Sequence, residues 1–243
     1  GADLLLASNV FAHADDLKSM AESMLKLIKP DGKIIIEVQY LLRTIKDLTF
    51  DNIYHEHTNY WSLTTLNRFF KKLNLIIFDA EEIDTHGGSI RVYISSDKNI
   101  EIKDSVKKIL KKEVEFGLTK ISTYFDFGKK IEKLKNTVVK NIKKLKKKHQ
   151  TIIGYGAPAK ATTALNYFNI INEINYIVED NELKHGKFIP GVKIPVFSKE
   201  KIKEINPLIL VLAWNFFDEI KKNNKTISKN IINIKSLEKN EIN

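Results

Sequence analysis

Hydrophobic residues along the chain switch between unbroken runs and helical spacing, and the switches mark elements. Leu4–Ala7 forms a short apolar run that reads as a buried strand. Leu17, Met20, Met24, Leu27 and Ile28 then recur at helical spacing, and Pro30 and Gly32 close that helix. The run "GKIIIEVQY" follows as a strand covered on both faces. "SLTTLNRFFKKLN" predicts a short helix with Ser62 as its cap. "LIIFDAEEI" and "SIRVYISS" predict two strands joined through "DTHGG", whose glycines suit a tight turn or bulge.

The texture changes between residues 101 and 149. Val106, Ile109, Leu110, Val114, Leu118, Ile121 and Phe125 make one helical stripe, and Ile131, Leu134, Val138, Ile142 and Leu145 a second. Gly117 and Gly128 are expected to break them. Beyond this, "QTIIGYGAPAKATTALNYF" reads as strand, glycine turn and helix, and "INYIVEDN", "PLILVLAW" and "IINI" supply further strands. The pattern predicts an α/β protein with two doubly wound, Rossmann-like lobes. Their expected limits are 1–100 and 150–243, with a helical connector over 101–149.

Composition narrows the function classes. The chain has 243 residues, 43% of them hydrophobic, enough to bury a core in each lobe. It has no run of about 18 apolar residues, so no membrane span is expected. The apolar run at the start has no basic flank and does not read as a signal peptide. Cysteine is absent, which removes disulfides, thiolate metal sites and cysteine nucleophiles and fits a cytoplasmic setting. The net charge of +10 comes almost wholly from lysine, because Arg43, Arg68 and Arg91 are the arginines. Many lysines sit in "NIKKLKKKHQ", where they read as a solvated helix face rather than a nucleic-acid surface.

Four stretches carry candidate chemistry. In "DNIYHEHTNYWS" two of the six histidines stand one residue apart. If that stretch is extended, His55 and His57 face one way and Tyr54 and Glu56 the other. A histidine titrates near neutral pH and suits general acid–base work. Histidines that merely pin a loop are the plainer reading, and a metal reading lacks a locally spaced third ligand, so no metal is expected. "NVFAH" puts Asn9 and His13 at the carboxyl edge of a strand, where ligands of open α/β sheets bind. "THGGSIRVY" offers His86, Ser89, Arg91 and backbone amides to an anion, or is an ordinary hairpin. "GYGAPAK" places Gly154, Gly156 and Ala159 in the G-x-G-x-x-A spacing, with Asp180 ending the next strand and Lys160 as a point charge. Phosphate binding and plain strand–helix packing both remain open there.

"NVFAH", "DNIYHEHTNYWS", "THGGSIRVY", "GYGAPAKATTALNYF", "VEDNELKHGKFIPGVKIPV" and "WNF" occur in this order over nearly the whole chain. Together they resemble the S-adenosylmethionine-dependent sugar C-methyltransferases, which act on nucleotide-linked keto-deoxysugars. The resemblance implies that the first lobe is an incomplete class I methyltransferase sheet beginning at its fourth strand. The amino-terminal zinc domain and the glycine loop for S-adenosylmethionine are expected to lie outside this sequence. It further implies a base within "YHEH", His57 first and His55 second, with Tyr54 and Glu56 orienting it and His13 donating toward an enolate. Asn9, His86, Ser89 and Arg91 are implied as substrate contacts. Gly154, Gly156 and Lys160 belong to a lobe that helps hold the nucleotide-sugar. Two other readings stand beside this one: an NAD-dependent oxidoreductase built on the "GYGAPA" lobe with Asp180 on a ribose, and a non-catalytic nucleotide-sugar binding protein.

Overall fold

A computed structural model describes residues 1–240. The chain divides into two units. One comprises Gly1–Phe50 and His55–Phe127, the other Asp51–Tyr54 and Gly128–Asn243. In the first, strands β1 (Ala2–Ser8), β2 (Ile28–Gln39), β3 (Ile76–Ile83) and β4 (Ser89–Ser95) form a sheet in the order β1-β2-β4-β3. β1 runs parallel to β2, while β4 is antiparallel to both of its neighbours. Ile34, Ile36 and Val38 of β2 are buried, as a central strand flanked on both sides requires. Helices α1 (Leu17–Leu27) and α3 (Leu63–Lys72) belong to this unit. Their buried Ala21, Met24, Leu66 and Phe70 join the strands in one core.

Ser62 caps α3, and it does so reciprocally. Its hydroxyl accepts from the Thr65 amide at 3.1 Å and its own amide donates to Thr65 Oγ1 at 3.0 Å. The other amides of that first turn go to α4 (Asp104–Phe116). Glu113 of α4 is 1% exposed, and its carboxylate accepts from Leu63 N at 2.6 Å and from Thr64 N at 2.9 Å. Thr64 Oγ1 at 2.6 Å and the Tyr40 hydroxyl at 3.0 Å complete its shell. Burial, and then the Glu113 charge, push the Tyr40 pKa far up, so the phenol stays a donor. Tyr40 also begins α2 (Leu41–Lys46), a short helix that no periodicity announced; Leu41 N donates to Trp61 O at 2.8 Å and fixes its start.

The second unit is a parallel sheet in the order β7-β6-β5-β8-β9. It is built from β5 (Ile152–Tyr155), β6 (Tyr176–Val178), β7 (Val196–Phe197), β8 (Leu208–Val211) and β9 (Ile231–Asn233). Helix α6 (Ala159–Phe168) connects β5 to β6, and α7 (Phe217–Asn223) follows β8. The order reverses between β5 and β8, the place where doubly wound sheets open a crevice at their carboxyl edge. The two-residue β7, beside Pro195, is too short for alternation to reveal. The expected α/β class is what the chain forms: the second unit is a parallel, doubly wound sheet, while the first is a mixed sheet with one parallel pair.

The middle of the chain departs from expectation in two ways. Gly117 ends α4 with φ 84°, but Gly128 breaks nothing: α5 runs from Ile121 to Lys148 through it. A helical glycine costs only about 1 kcal/mol relative to alanine, and a long helix rich in good formers absorbs that. The first apolar stripe is only half buried. Val106, Ile109 and Leu118 are in the core, whereas Val114, Ile121 and Phe125 are exposed. The second stripe, Ile131 to Leu145, is buried throughout. No helix among the described residues is long and apolar enough to cross a membrane.

Replacing Glu113 with alanine strands two buried amides and a phenol. The expected loss is about 3 kcal/mol of stability, with Glu113→Gln retaining part of it. Urea unfolding checks this as a lower midpoint at unchanged slope.

Candidate functional site

In the first unit the chain leaves β1 through Asn9, whose backbone is left-handed (φ 54°) and whose amide donates to Glu37 O at 2.9 Å. A short 3-10 turn, Phe11–His13, follows. Phe11 is fully buried, with its ring 5.5 Å from Trp61 and 5.6 Å from Phe70. That aromatic anchor leaves His13 at the surface, two residues on. The segment after the histidine pair is tied to the same turn. Thr58 Oγ1 donates to Ala12 O at 3.2 Å, Asn59 N to Ala12 O at 3.3 Å and Asn59 Nδ2 to Ala14 O at 3.2 Å. His57 and His13 therefore meet edge to face, with ring centroids 4.9 Å apart.

His55 does not share that face. The backbone turns at His55 and Glu56 instead of running extended, so the expected alternation is not realised. His55 is exposed, and its Nε2 lies 3.8 Å from Glu56 Oε1. Tyr54 is half-buried and belongs to the other unit. Among the described residues no group of three or more histidine, cysteine or acidic side chains is placed to hold a metal ion.

The "THGGSIRVY" residues are occupied within the sheet. Ser89 is fully buried and its hydroxyl donates to Thr85 O at 3.1 Å. Arg91 donates from Nη2 to Glu37 Oε2 at 2.9 Å and from Nη1 to Glu81 Oε1 at 3.0 Å. The bond to Glu37 leads in raising its pKa. His86 sits in the hairpin turn with φ 53°. Arg91 also lines a recess of about 300 Å³ with Leu6, Ser8 and Ile35.

In the second unit a cleft of about 970 Å³ opens at the carboxyl ends of β5, β6 and β8. Gly156 lines it with φ 89°, and a Cβ there would stand 2.7 Å from the Ala213 Cβ. Gly154 lies within β5, where a Cβ would meet Ile177 Cγ1 at 2.7 Å, so strand packing accounts for it. The turn that a pyrophosphate would use already holds an anion. Glu179 Oε2 accepts from Ala157 N at 2.7 Å and from Lys184 Nζ at 3.3 Å, and Oε1 accepts from Asn181 N at 3.1 Å. Burial pushes the Glu179 pKa up, but the two amides and Lys184 outweigh it and leave it below the ordinary range. Asp180 is engaged as well. The Tyr155 hydroxyl donates to its carboxylate at 2.9 Å, and burial and this contact push the phenol up to about 12. The Ala157 amide and the Asp180 carboxylate, which a dinucleotide would use, are thus both engaged. Lys160 turns away from the expected point-charge role: its Nζ lies 4.8 Å over the Trp214 ring, and burial pulls its pKa down.

Sequence reasoning did not single out Glu179, Tyr155, Asp51 or Trp214. For Glu179 a signal existed, because a carboxylate directly after the buried run "YIV" at a strand's carboxyl edge faces the glycine turn.

Residues 84–234 match the model of the C-methyltransferase C-terminal domain, and residues 1–78 match a methyltransferase domain. The chain is 32% identical over 232 residues to the C-methyltransferase NovU of Streptomyces niveus. The matched stretch covers 94% of this chain and 55% of that protein, so the chain spans about half the length of the relative.

Because the folded pKa of Glu179 lies below its ordinary value, the stability it contributes is present above about pH 4.5 and lost as pH falls through the folded value. The gap in unfolding free energy between the wild type and Glu179→Gln is therefore expected to close as the pH is lowered below 4.5. Urea titrations at stepped pH measure it.

Proposed function

The chain belongs to the C-methyltransferase family, and on that premise we propose that it methylates a carbon beside the ketone of a nucleotide-linked keto-deoxysugar, with His57 as the base. The observation that carries this reading is the His57–His13 pair, edge to face at 4.9 Å, beside the carboxyl end of β1. Open α/β sheets bind their ligands at that edge.

Attack on a methyl group requires a carbanion equivalent. Removal of the proton alpha to the carbonyl supplies one, provided the enolate oxygen finds donors. His57, half-buried, takes the proton at its ring nitrogen. His13, exposed on the adjoining turn, donates toward the enolate oxygen. His55 and Glu56, 3.8 Å apart, form the second proton-handling pair, and Tyr54 helps to orient the segment. Asn9, at the end of β1, offers an amide for a substrate hydroxyl. His86 contributes from the hairpin, with Ser89 and Arg91 holding that hairpin's strand in place. In the carboxyl-terminal unit Gly156 forms part of the cleft that helps hold the nucleotide, while Gly154 and Lys160 support it from behind.

S-adenosylmethionine supplies the methyl group when bound. Neither strand-to-helix turn of the first unit, after β1 or after β2, contains a glycine, so no residue present is assigned to the cofactor. What this chain's residues do is position the sugar and move the proton.

Replacing His57 with asparagine is expected to lower methyl transfer by at least about 100-fold. The far-ultraviolet dichroism and urea midpoint should stay where they are. Transfer of labelled methyl to a dTDP-keto-deoxysugar measures the first. Full activity in the variant removes His57 as the base, and tight binding of the sugar without turnover in the wild type favours a non-catalytic binding protein.

A further inference from the structure

The glycine turn of the carboxyl-terminal unit has the donors of a phosphate seat, and they are spent inside the chain. Gly156 N donates to Val178 O at 2.8 Å. Ala157 N donates to Glu179 Oε2 at 2.7 Å, and Asn181 N donates to Oε1 at 3.1 Å. Lys184 Nζ lies 3.3 Å from the same Oε2 and also donates to Ala157 O at 3.0 Å. Pro158, next in the turn, has no N–H to give. Glu179 thus receives what a turn of this kind gives to a ligand phosphate, two backbone amides and an ammonium. Its side chain is 14% exposed, so a phosphate reaches these donors only by displacing it.

The rest of the cleft suits the other end of a nucleotide. Asp180 lines it with a side chain 59% exposed. The Tyr155 hydroxyl lies 2.9 Å from each of its carboxylate oxygens and holds the group in place. A carboxylate has about four acceptor positions, so a sugar hydroxyl can still donate to it. Phe216, 60% exposed, gives the same cleft an aromatic face, and bases stack on such faces. Glu182, Glu200 and Glu219 also line the cleft, and their like charge opposes a diphosphate.

We propose that Glu179 sets the ligand class of this cleft: it fills the phosphate seat of the glycine turn, so the cleft takes a nucleotide by its nucleoside, with a sugar hydroxyl on Asp180 and the base on Phe216. This rests on the reading of the cleft as a nucleotide site and is independent of His57. Calorimetric titration of the chain with adenosine, guanosine, uridine and thymidine, each set against its own diphosphate, tests it. The nucleoside that binds is expected to bind within threefold of its diphosphate. Asp180→Ala and Phe216→Ala are each expected to weaken it at least tenfold. Glu179→Ala releases the donors: its affinity for the diphosphate should exceed that for the nucleoside at least tenfold, and inorganic phosphate should raise its thermal midpoint. In Glu179→Gln, which keeps an acceptor for the Ala157 amide, phosphate should move the midpoint no more than in the wild type. If Glu179→Ala does not fold, the wild-type comparison decides. A diphosphate bound more than threefold tighter than its nucleoside by the wild type overturns the inference and leaves the nucleotide reading standing. An unmoved midpoint for folded Glu179→Ala in phosphate overturns it too, as does binding that Asp180→Ala and Phe216→Ala leave unchanged. No binding of any nucleoside or diphosphate removes both the inference and the nucleotide reading of the cleft.

Discussion

Four hydrogen bonds converge on the carboxylate of Glu113, and the segment that leads into α3 at Ser62 ends against them. The amides of Leu63 and Thr64 are orphans of the α3 amino terminus, and the carboxylate of a different helix satisfies both. Tyr40, where β2 gives way to α2, donates to the same group. One acidic side chain thus holds the end of the central strand, the start of α3 and the face of α4. An ionised carboxylate taken out of water is tolerable only when its lone pairs are met, and here two amides and two hydroxyls meet them. The helix amino terminus adds its own partial positive charge. The stretch from Asp51 to Ser62 must end where this cluster ends, which is why a run without hydrophobic periodicity can still present its side chains in fixed places.

The sequence made some of this legible and hid the rest for identifiable reasons. Ser62 was readable as a cap because an N-cap works through neighbours in sequence, and Thr65 completes the box three residues on. The parallel strands of the second unit were readable because burial on both faces writes an unbroken apolar run; β1 carries such a run too and was expected to be buried, yet Leu4 and Leu6 are exposed. Glu113 was not readable: in the sequence it is one more charged residue on a lysine-rich helix, and its partners lie 49 to 73 residues away. Helix α2 was hidden for the same reason, since a bond between Leu41 and Trp61 sets its start. Val114, Ile121 and Phe125 followed helical spacing and yet remain exposed, because periodicity reports a face and does not say that the face is covered.

The glycine motif and the histidine stretch depart from expectation in different ways. "GYGAPAK" has the spacing of a phosphate-binding turn, and the turn geometry is present, with Gly156 left-handed against Ala213. Spacing dictates the backbone, however, and not its occupant. Glu179, from the next strand end, supplies the anion that the turn would otherwise take from a ligand. In the histidine stretch the residue types pointed to proton chemistry, while the assumed backbone was wrong. An extended segment would have paired His55 with His57. The backbone instead turns at His55 and Glu56, and His57 meets His13 edge to face.

The charge of the chain and the charge of its cleft also part company, and the separation has a physical consequence. The net +10 is carried largely by lysines, many of them on the outer face of α5, including Lys146, Lys147 and Lys148 of its last turn. The carboxyl-terminal cleft is instead lined by Glu179, Asp180, Glu182, Glu200 and Glu219 against Lys184 and Lys199. Both lysines stand against carboxylates, Lys184 at 3.3 Å from Glu179 and Lys199 at 3.7 Å from Asp180. Charges on an exposed helix are screened within about 8 Å at physiological salt, and no lysine of α5 lines the cleft. The cleft therefore presents carboxylates, the Tyr155 phenol and backbone groups rather than a basic wall. The net charge of the whole chain is thus no guide to the charge of this cleft.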